Sequence, residues 1–151
     1  MAFLTARWKL IFLVGAVAGL AIFVSEPDYN TLQMSSDAQD FNRVLGDNDT
    51  RALIANVCDM IFALSYGVLG VVAFNKLASG MVALIGSLIA VGGAVADEIE
   101  NVLVFLNITS TSLTDGRVDA MTTVGAIKWV LIVVALLSLA VLVVRARSRR
   151  T

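Results

Sequence analysis

The sequence predicts an all-α membrane protein, a four-helix transmembrane bundle with both termini in the cytoplasm and a short amphipathic helix in its first outer loop. The 151 residues are 58% hydrophobic and 15% charged, whereas soluble domains have about 45–50% apolar and about 25% charged residues. Uncharged segments recur at 10–25, 60–75, 77–96 and 129–144. The amino terminus, the second connection and the carboxyl-terminal tail carry basic residues without acids, whereas the acids lie in the other connections and in the helices.

The composition disfavours most enzyme classes. The chain has no His, which excludes Ser-His-Asp and Cys-His catalytic pairs and His-ligated zinc or haem. The single Cys58 cannot form an internal disulfide, and no glycine-rich phosphate-binding loop is present. With a pI of about 5.2 and no basic aromatic face, nucleic acid is not an expected partner. We therefore expect no cofactor and no catalytic residue.

The four apolar runs extend to membrane-spanning length once their flanking residues are included. A helix needs about 20 residues to cross the hydrocarbon of a bilayer, and the predicted spans cover 6–25, 52–75, 78–106 and 120–144. Trp8 and Lys9 can anchor the first span at the interface. Arg7 and Lys9 before an apolar stretch are also typical of a signal peptide, but no A-x-A site lies near Val24. We expect the first run to remain a helix.

The distribution of charge predicts the orientation. The amino terminus, the turn near Lys76 and the tail 145–151 carry basic residues and no acid. The positive-inside rule assigns these three segments to the cytoplasmic side of the membrane, which we expect to be a bacterial plasma membrane. The tail residues expected to attract anionic lipid head groups are Arg145, Arg147, Arg149 and Arg150.

The first outer loop, 26–51, is acidic and contains one amphipathic segment. Ser36 followed by Gln39 is typical of a capping box, and Gly46 suits the position after the last turn. Phe41, Val44 and Leu45 form one apolar face. This helix is predicted to lie on the membrane or to cover the outer ends of the spans.

Polar side chains inside the predicted spans gather at one depth. They are Asn56, Asp59, Tyr66, Asp97, Glu100, Asn101 and Lys128. Asp59 precedes Lys76 by 17 residues, and Lys128 precedes Arg145 by 17 residues. At about 1.5 Å per residue, both lie about 25 Å from the inner boundary. Small residues at helical spacing beside them indicate that these faces pack inward.

Lys128 is the only base in this layer, where it faces Asp59, Asp97 and Glu100. A charge at the centre of a membrane helix costs about 2.5–3.5 kcal/mol, so the group requires a compensating partner. The favoured interpretation is a structural ion pair that fixes helix register. A proton or cation relay, a ligand pocket, hydrolytic chemistry and a hard-cation site remain alternatives.

Two helix motifs resemble a pattern in small bacterial four-helix integral membrane proteins. The first is D-x-x-F-x-x-x-Y, at Asp59, Phe62 and Tyr66, and the second is D-x-x-E-N, at Asp97, Glu100 and Asn101. The resemblance covers residues 36–140. The resemblance implies a compact bundle with paired polar motifs, and it implies no activity.

The sequence favours a non-enzymatic accessory or scaffolding subunit of a membrane complex. Its expected partners are the lipid bilayer and other membrane proteins or further copies of the chain. The alternative is a small transporter or a lipid- or quinone-binding protein that uses the carboxylate–lysine layer.

Overall fold

The computed structural model describes residues 2–25 and 29–148, and 90% of these residues are helical. No strand occurs in the described part, which confirms the all-α prediction. The helices are α1 (Ala2–Ser25), α2 (Tyr29–Gln33), α3 (Ala38–Leu45), α4 (Asp49–Leu77), α5 (Gly80–Thr109) and α6 (Asp115–Ser148).

Three of these helices are long and apolar enough to cross a membrane. They are α4, α5 and α6, with 29, 30 and 34 residues, and each contains an 18-residue segment with a mean hydropathy of 2.0, 1.8 and 2.8, respectively. A 30-residue helix is about 45 Å long, which exceeds the hydrocarbon thickness of about 30 Å. Each of the three runs past the predicted span at one or both ends, because polar turns beyond the apolar core continue the same helical hydrogen bonding. Helix α1 covers the predicted first span, 6–25.

Small residues bring α1 against α4 in an antiparallel arrangement. A Cβ added to Gly15 would lie 2.7 Å from Ser65 Cβ, and one added to Gly19 would lie 3.3 Å from the Phe62 ring. At the other end of α1, the ring of Trp8 lies 5.0 Å from Lys76 Nζ. The two helices therefore run side by side over about four turns.

The α4–α5 interface is equally close. A Cβ on Gly67 would lie 2.6 Å from Ala94 Cβ, and one on Gly70 would lie 2.6 Å from Ala90 Cβ. These distances are too short for real Cβ contacts, so glycine is required at both positions. Helix α6 also packs along α5, and only sparsely against α4.

An apolar core lies at the end of the bundle opposite the α4–α5 connection. The short helices α2 and α3 pack there against the ends of α1, α4, α5 and α6 around the fully buried Phe41. Residues of α3 and α6 are also joined directly, since Ala38 N donates to Asp115 Oδ1 at 3.0 Å. We call this assembly of α2, α3 and the helix ends the outer cap, after the side of the membrane on which the sequence predicts it.

The structure corrects the predicted start of the amphipathic helix. Asp37, not Ser36, is the N-cap of α3, and its side chain accepts a hydrogen bond from Asp40 N at 2.8 Å. A carboxylate satisfies this amide and also interacts favourably with the helix dipole, so it outcompetes the serine hydroxyl. The C-terminal prediction is correct, because Gly46 follows the last residue with φ of 53°.

The outer cap covers one face of α5 at its carboxyl-terminal end. Val104 and Ile108 are buried, whereas Val102, Phe105 and Leu106 remain exposed. The buried pair continues the helical stripe that contains Asp97 and Asn101, so one face of α5 packs inward over its whole length. Helix α2 was not predicted.

Candidate functional site

Lys128 joins α6 to α5 through two carboxylates. Its Nζ donates to Asp97 Oδ1 at 3.1 Å and also forms an ion pair with Glu100 Oε2. The exposed fractions of Lys128, Asp97 and Glu100 are 4%, 3% and 2%. Gly125, one turn before Lys128, makes room for the Glu100 carboxylate, because a Cβ there would lie 2.5 Å from Glu100 Oε1.

Asp97 is the centre of a wider hydrogen-bond network. Tyr66 of α4 donates its hydroxyl to Asp97 Oδ2 at 2.9 Å and lies 3.2 Å from the Gly93 carbonyl. Asn101, one turn along α5, donates Nδ2 to Asp97 Oδ1 at 3.4 Å. Asp97 therefore receives donors from three helices, which fixes their relative register.

Helix α2 contributes two side chains that the sequence reasoning missed. The Tyr29 hydroxyl donates to Asn56 Oδ1 at 2.7 Å and lies 3.3 Å from Asn101 Oδ1. Gln33 Nε2 donates to Asp59 Oδ2 at 3.1 Å. Burial, with the neighbouring carboxylates, raises the pKa of the Tyr29 phenol far above its usual value, so it remains a donor. The spacing of Tyr29 and Gln33, four residues apart within an otherwise acidic loop, was the available signal.

Asp59 lies in the same cleft as Lys128, but its hydrogen bond comes from another helix. The sequence grouped it with the acids that face Lys128, yet its hydrogen bond comes from the Gln33 amide and Lys128 pairs with the two α5 carboxylates. The physical reason is helix order: α6 packs on α5 and only sparsely on α4, which carries Asp59. Asp59 is nevertheless buried, with 8% of its surface exposed.

The layer has more potential negative charge than positive charge. Three buried carboxyl groups lie with a single ammonium group, and the other donors are neutral amides and hydroxyls. Buried carboxylates require paired charge or several donors to offset their lost hydration. Asp97 and Glu100 have Lys128, whereas Asp59 has one neutral donor.

A cleft of about 610 Å³ begins at this layer and continues between α4 and α6, where α5 also lines it, and α1 contributes Gly19 and Ile22. Its polar end is formed by Gln33, Asp59 and Asp97 together with Lys128, and its walls are mainly apolar. The cleft follows α6 from Lys128 to Leu139, a distance of about 16 Å at the helical rise. Such a shape and polarity can accommodate a molecule with one polar end and an elongated apolar portion.

The remaining predicted residues lie away from the cleft. Arg145 and Arg147 occupy the exposed last turn of α6, and Arg149 and Arg150 lie outside the described residues. Within residues 2–25 and 29–148, no three Cys, Asp or Glu side chains converge as metal ligands. No protein-family model, curated protein or solved structure matches this chain. Its function must therefore be argued from the layer and the cleft.

Proposed function

We propose that the protein is a four-span plasma-membrane protein that binds an amphipathic molecule in the cleft between α4 and α6. The cleft carries this proposal, because apolar walls about 16 Å long end at a cluster of buried charged and amide groups. This observation favours the lipid- or quinone-binding alternative over the accessory subunit that the sequence favoured. The polar end would hold a head group and the walls an acyl or prenyl chain.

The packing of α1 supports the fourth span. Its contacts with α4 extend from the Trp8–Lys76 pair to the Gly19–Phe62 contact, so α1 accompanies α4 through the same depth. Four spans, with basic residues at both ends and near Lys76, give two cytoplasmic termini. The acidic loop 26–51 and the outer cap would then lie on the opposite side.

The topology is tested by labelling from the two sides of the membrane. Single cysteines replace Ser79 and Ser112 in a Cys58→Ser background, and epitope tags are added to each terminus. We expect Ser79→Cys and both tags to react from the cytoplasmic side, and Ser112→Cys from the outer side. An amino-terminal tag that reacts together with Ser112→Cys would leave only three spans.

Ligand binding is tested by filling the cleft. Ala135 lines it, whereas Ala140 on the same helix is exposed outside it. We expect Ala135→Trp to lose lipids that co-purify with the wild-type protein in native mass spectrometry, and Ala140→Trp to retain them. Equal lipid retention by both variants, each folded by circular dichroism, would contradict the proposal.

A second candidate function is the accessory or scaffolding subunit, and one observation favours it. Only 6% of the most apolar window of α6 is buried, compared with 33% for α4 and 39% for α5. A partner, either another membrane protein or a second copy, could pack against this face. Disulfide cross-linking of Val133→Cys in native membranes would detect a second copy, and a monomer in those membranes would weigh against self-association.

A further inference from the structure

The ligand class follows from the unequal charge at the polar end of the cleft. Lys128 forms ion pairs with both Asp97 and Glu100. Asp59 lines the cleft and has the Gln33 amide as its hydrogen-bond donor among the described residues. Three buried carboxyl groups share the single ammonium charge of Lys128, so Asp59, with 8% exposure and one neutral donor, is incompletely compensated. A cation entering the cleft would supply the missing charge.

Aromatic rings lie beside the same carboxylate. Phe62 and Tyr66 follow Asp59 by three and seven residues, so the three side chains share one face of α4. Both rings line the cleft, with their centroids 5.6 Å apart in an edge-to-face arrangement. Ring faces attract organic cations, and this attraction strengthens when the cation is removed from water.

The opposite wall shows that this environment accepts a cation. Trp129 of α6 also lines the cleft, and Lys128 Nζ lies 5.6 Å from the centroid of its ring. An anionic head group, in contrast, would approach three carboxyl groups with only one ammonium group to attract it. Charge complementarity therefore favours a positively charged head group over a phosphate or carboxylate.

We propose that the cleft binds an amphipathic ammonium compound, whose cationic head contacts Asp59 and the rings of Phe62 and Tyr66 while its apolar chain follows α6 toward Leu139. This inference rests on the proposed function, since it requires the cleft to be a binding site. It adds the charge and chemical class of the head group. A neutral head group, such as a quinone or an alcohol, is the competing occupant.

The proposal is tested with three photoreactive probes that share one octadecyl chain carrying a diazirine. Their head groups are trimethylammonium, hydroxyl and sulfate. Each probe is irradiated with the full-length protein in maltoside micelles, and labelled peptides are mapped by mass spectrometry. We expect the trimethylammonium probe to label cleft residues at least tenfold more efficiently than the other two, and unlabelled octadecyltrimethylammonium to compete with it.

Two variants with the same change of charge assign the effect to Asp59. Asp59→Asn removes the carboxylate from the cleft, whereas Asp119→Asn removes an exposed carboxylate on α6. Loss of one charge-assisted contact corresponds to roughly a tenfold or larger loss of affinity. We expect that loss for the trimethylammonium probe with Asp59→Asn, no change with Asp119→Asn, and unchanged labelling by the hydroxyl probe.

The outcomes separate the two proposals. Equal labelling of the cleft by all three probes, or preference for the hydroxyl or sulfate probe, would overturn the ammonium assignment and leave the binding cleft intact. Labelling that avoids the cleft for every probe would overturn the proposed function itself. The head-group comparison uses the wild-type protein, so it remains decisive even if Asp59→Asn does not fold.

Discussion

Lys128→Met is the substitution that most directly tests how the buried layer stabilises the bundle. Methionine retains an unbranched apolar side chain of similar length but removes the only ammonium group that pairs with Asp97 and Glu100. Both carboxylates would then remain in a site where 3% and 2% of their surfaces are exposed. No other basic side chain of the described layer replaces the lost partner.

The magnitude follows from the observed distance and burial. At the 3.1 Å separation of Lys128 Nζ and Asp97 Oδ1, two unit charges attract by about 5 kcal/mol at an effective dielectric constant near 20. Desolvation offsets much of this attraction in the intact pair. Removal of one partner leaves the desolvation cost uncompensated, and measured losses for such truncations are about 3–5 kcal/mol. We expect the free energy of unfolding to fall by that amount.

The assay is reversible unfolding in mixed micelles, followed by helical circular dichroism during titration with dodecyl sulfate. Lys76→Met is the matched control, because Lys76 is exposed and its contact is the ring of Trp8. An exposed cation–π contact contributes about 0.5–1 kcal/mol. A triple variant, Lys128→Met with Asp97→Asn and Glu100→Gln, removes the stranded charges and is expected to recover part of the loss.

Two results would refute this reasoning. If Lys128→Met unfolds with the wild-type free energy, the ion pairs do not hold α5 and α6 together. If the triple variant is no more stable than Lys128→Met, the loss comes from altered packing and not from unpaired carboxylates.

Three further predictions concern the interfaces and the outer cap. Gly67→Ala should destabilise the bundle by about 1–3 kcal/mol through overpacking, as measured by the same titration with dodecyl sulfate. Gly116→Ala is the control, because a Cβ at Gly116 would meet open space, and it should not destabilise the bundle. Phe41→Ala should lower the stability of the outer cap by about 3–5 kcal/mol, which would be seen as faster amide hydrogen exchange in α3. Met34→Ala, at a side chain that is 79% exposed, should leave the exchange rates unchanged. The backbone hydrogen bond from the start of α3 holds the pKa of Asp37 below its usual value, so the N-cap is formed above the usual Asp pKa and weakens as pH falls through the lowered one. A carboxyl titration by NMR that gives Asp37 an ordinary pKa, about 3.9, would contradict this capping role.

Local patterns accounted for the helices and for most of the polar layer. The uncharged runs located the long helices because a helix in lipid must satisfy its own backbone and present apolar side chains for about 20 residues. Helical periodicity likewise located the buried face of α5, where Asp97 and Asn101 share a stripe with small residues. Those inferences depend only on neighbours along the chain.

The same reasoning failed where distant segments compete for one partner. Gln33 replaced Lys128 as the partner of Asp59, and Tyr29 joined the layer from a helix that was not predicted. A five-residue helix such as α2 has too few hydrogen bonds to be stable alone. It forms because Tyr29 and Gln33 bury their polar atoms against α4 and α5, which is information absent from its own five residues.

By itself, the sequence determined an all-helical chain with helices long and apolar enough for a membrane, and a set of polar residues at matching depth. The periodicity of apolar residues and the segregation of charges suffice for that, because both reflect whether each residue contacts lipid, protein or water. The tertiary structure alone decided which carboxylates Lys128 neutralises and which one remains for the cleft. Helix order caused that division: α5 lies beside α6 and supplies both partners of Lys128, while Asp59 on α4 faces the open cleft.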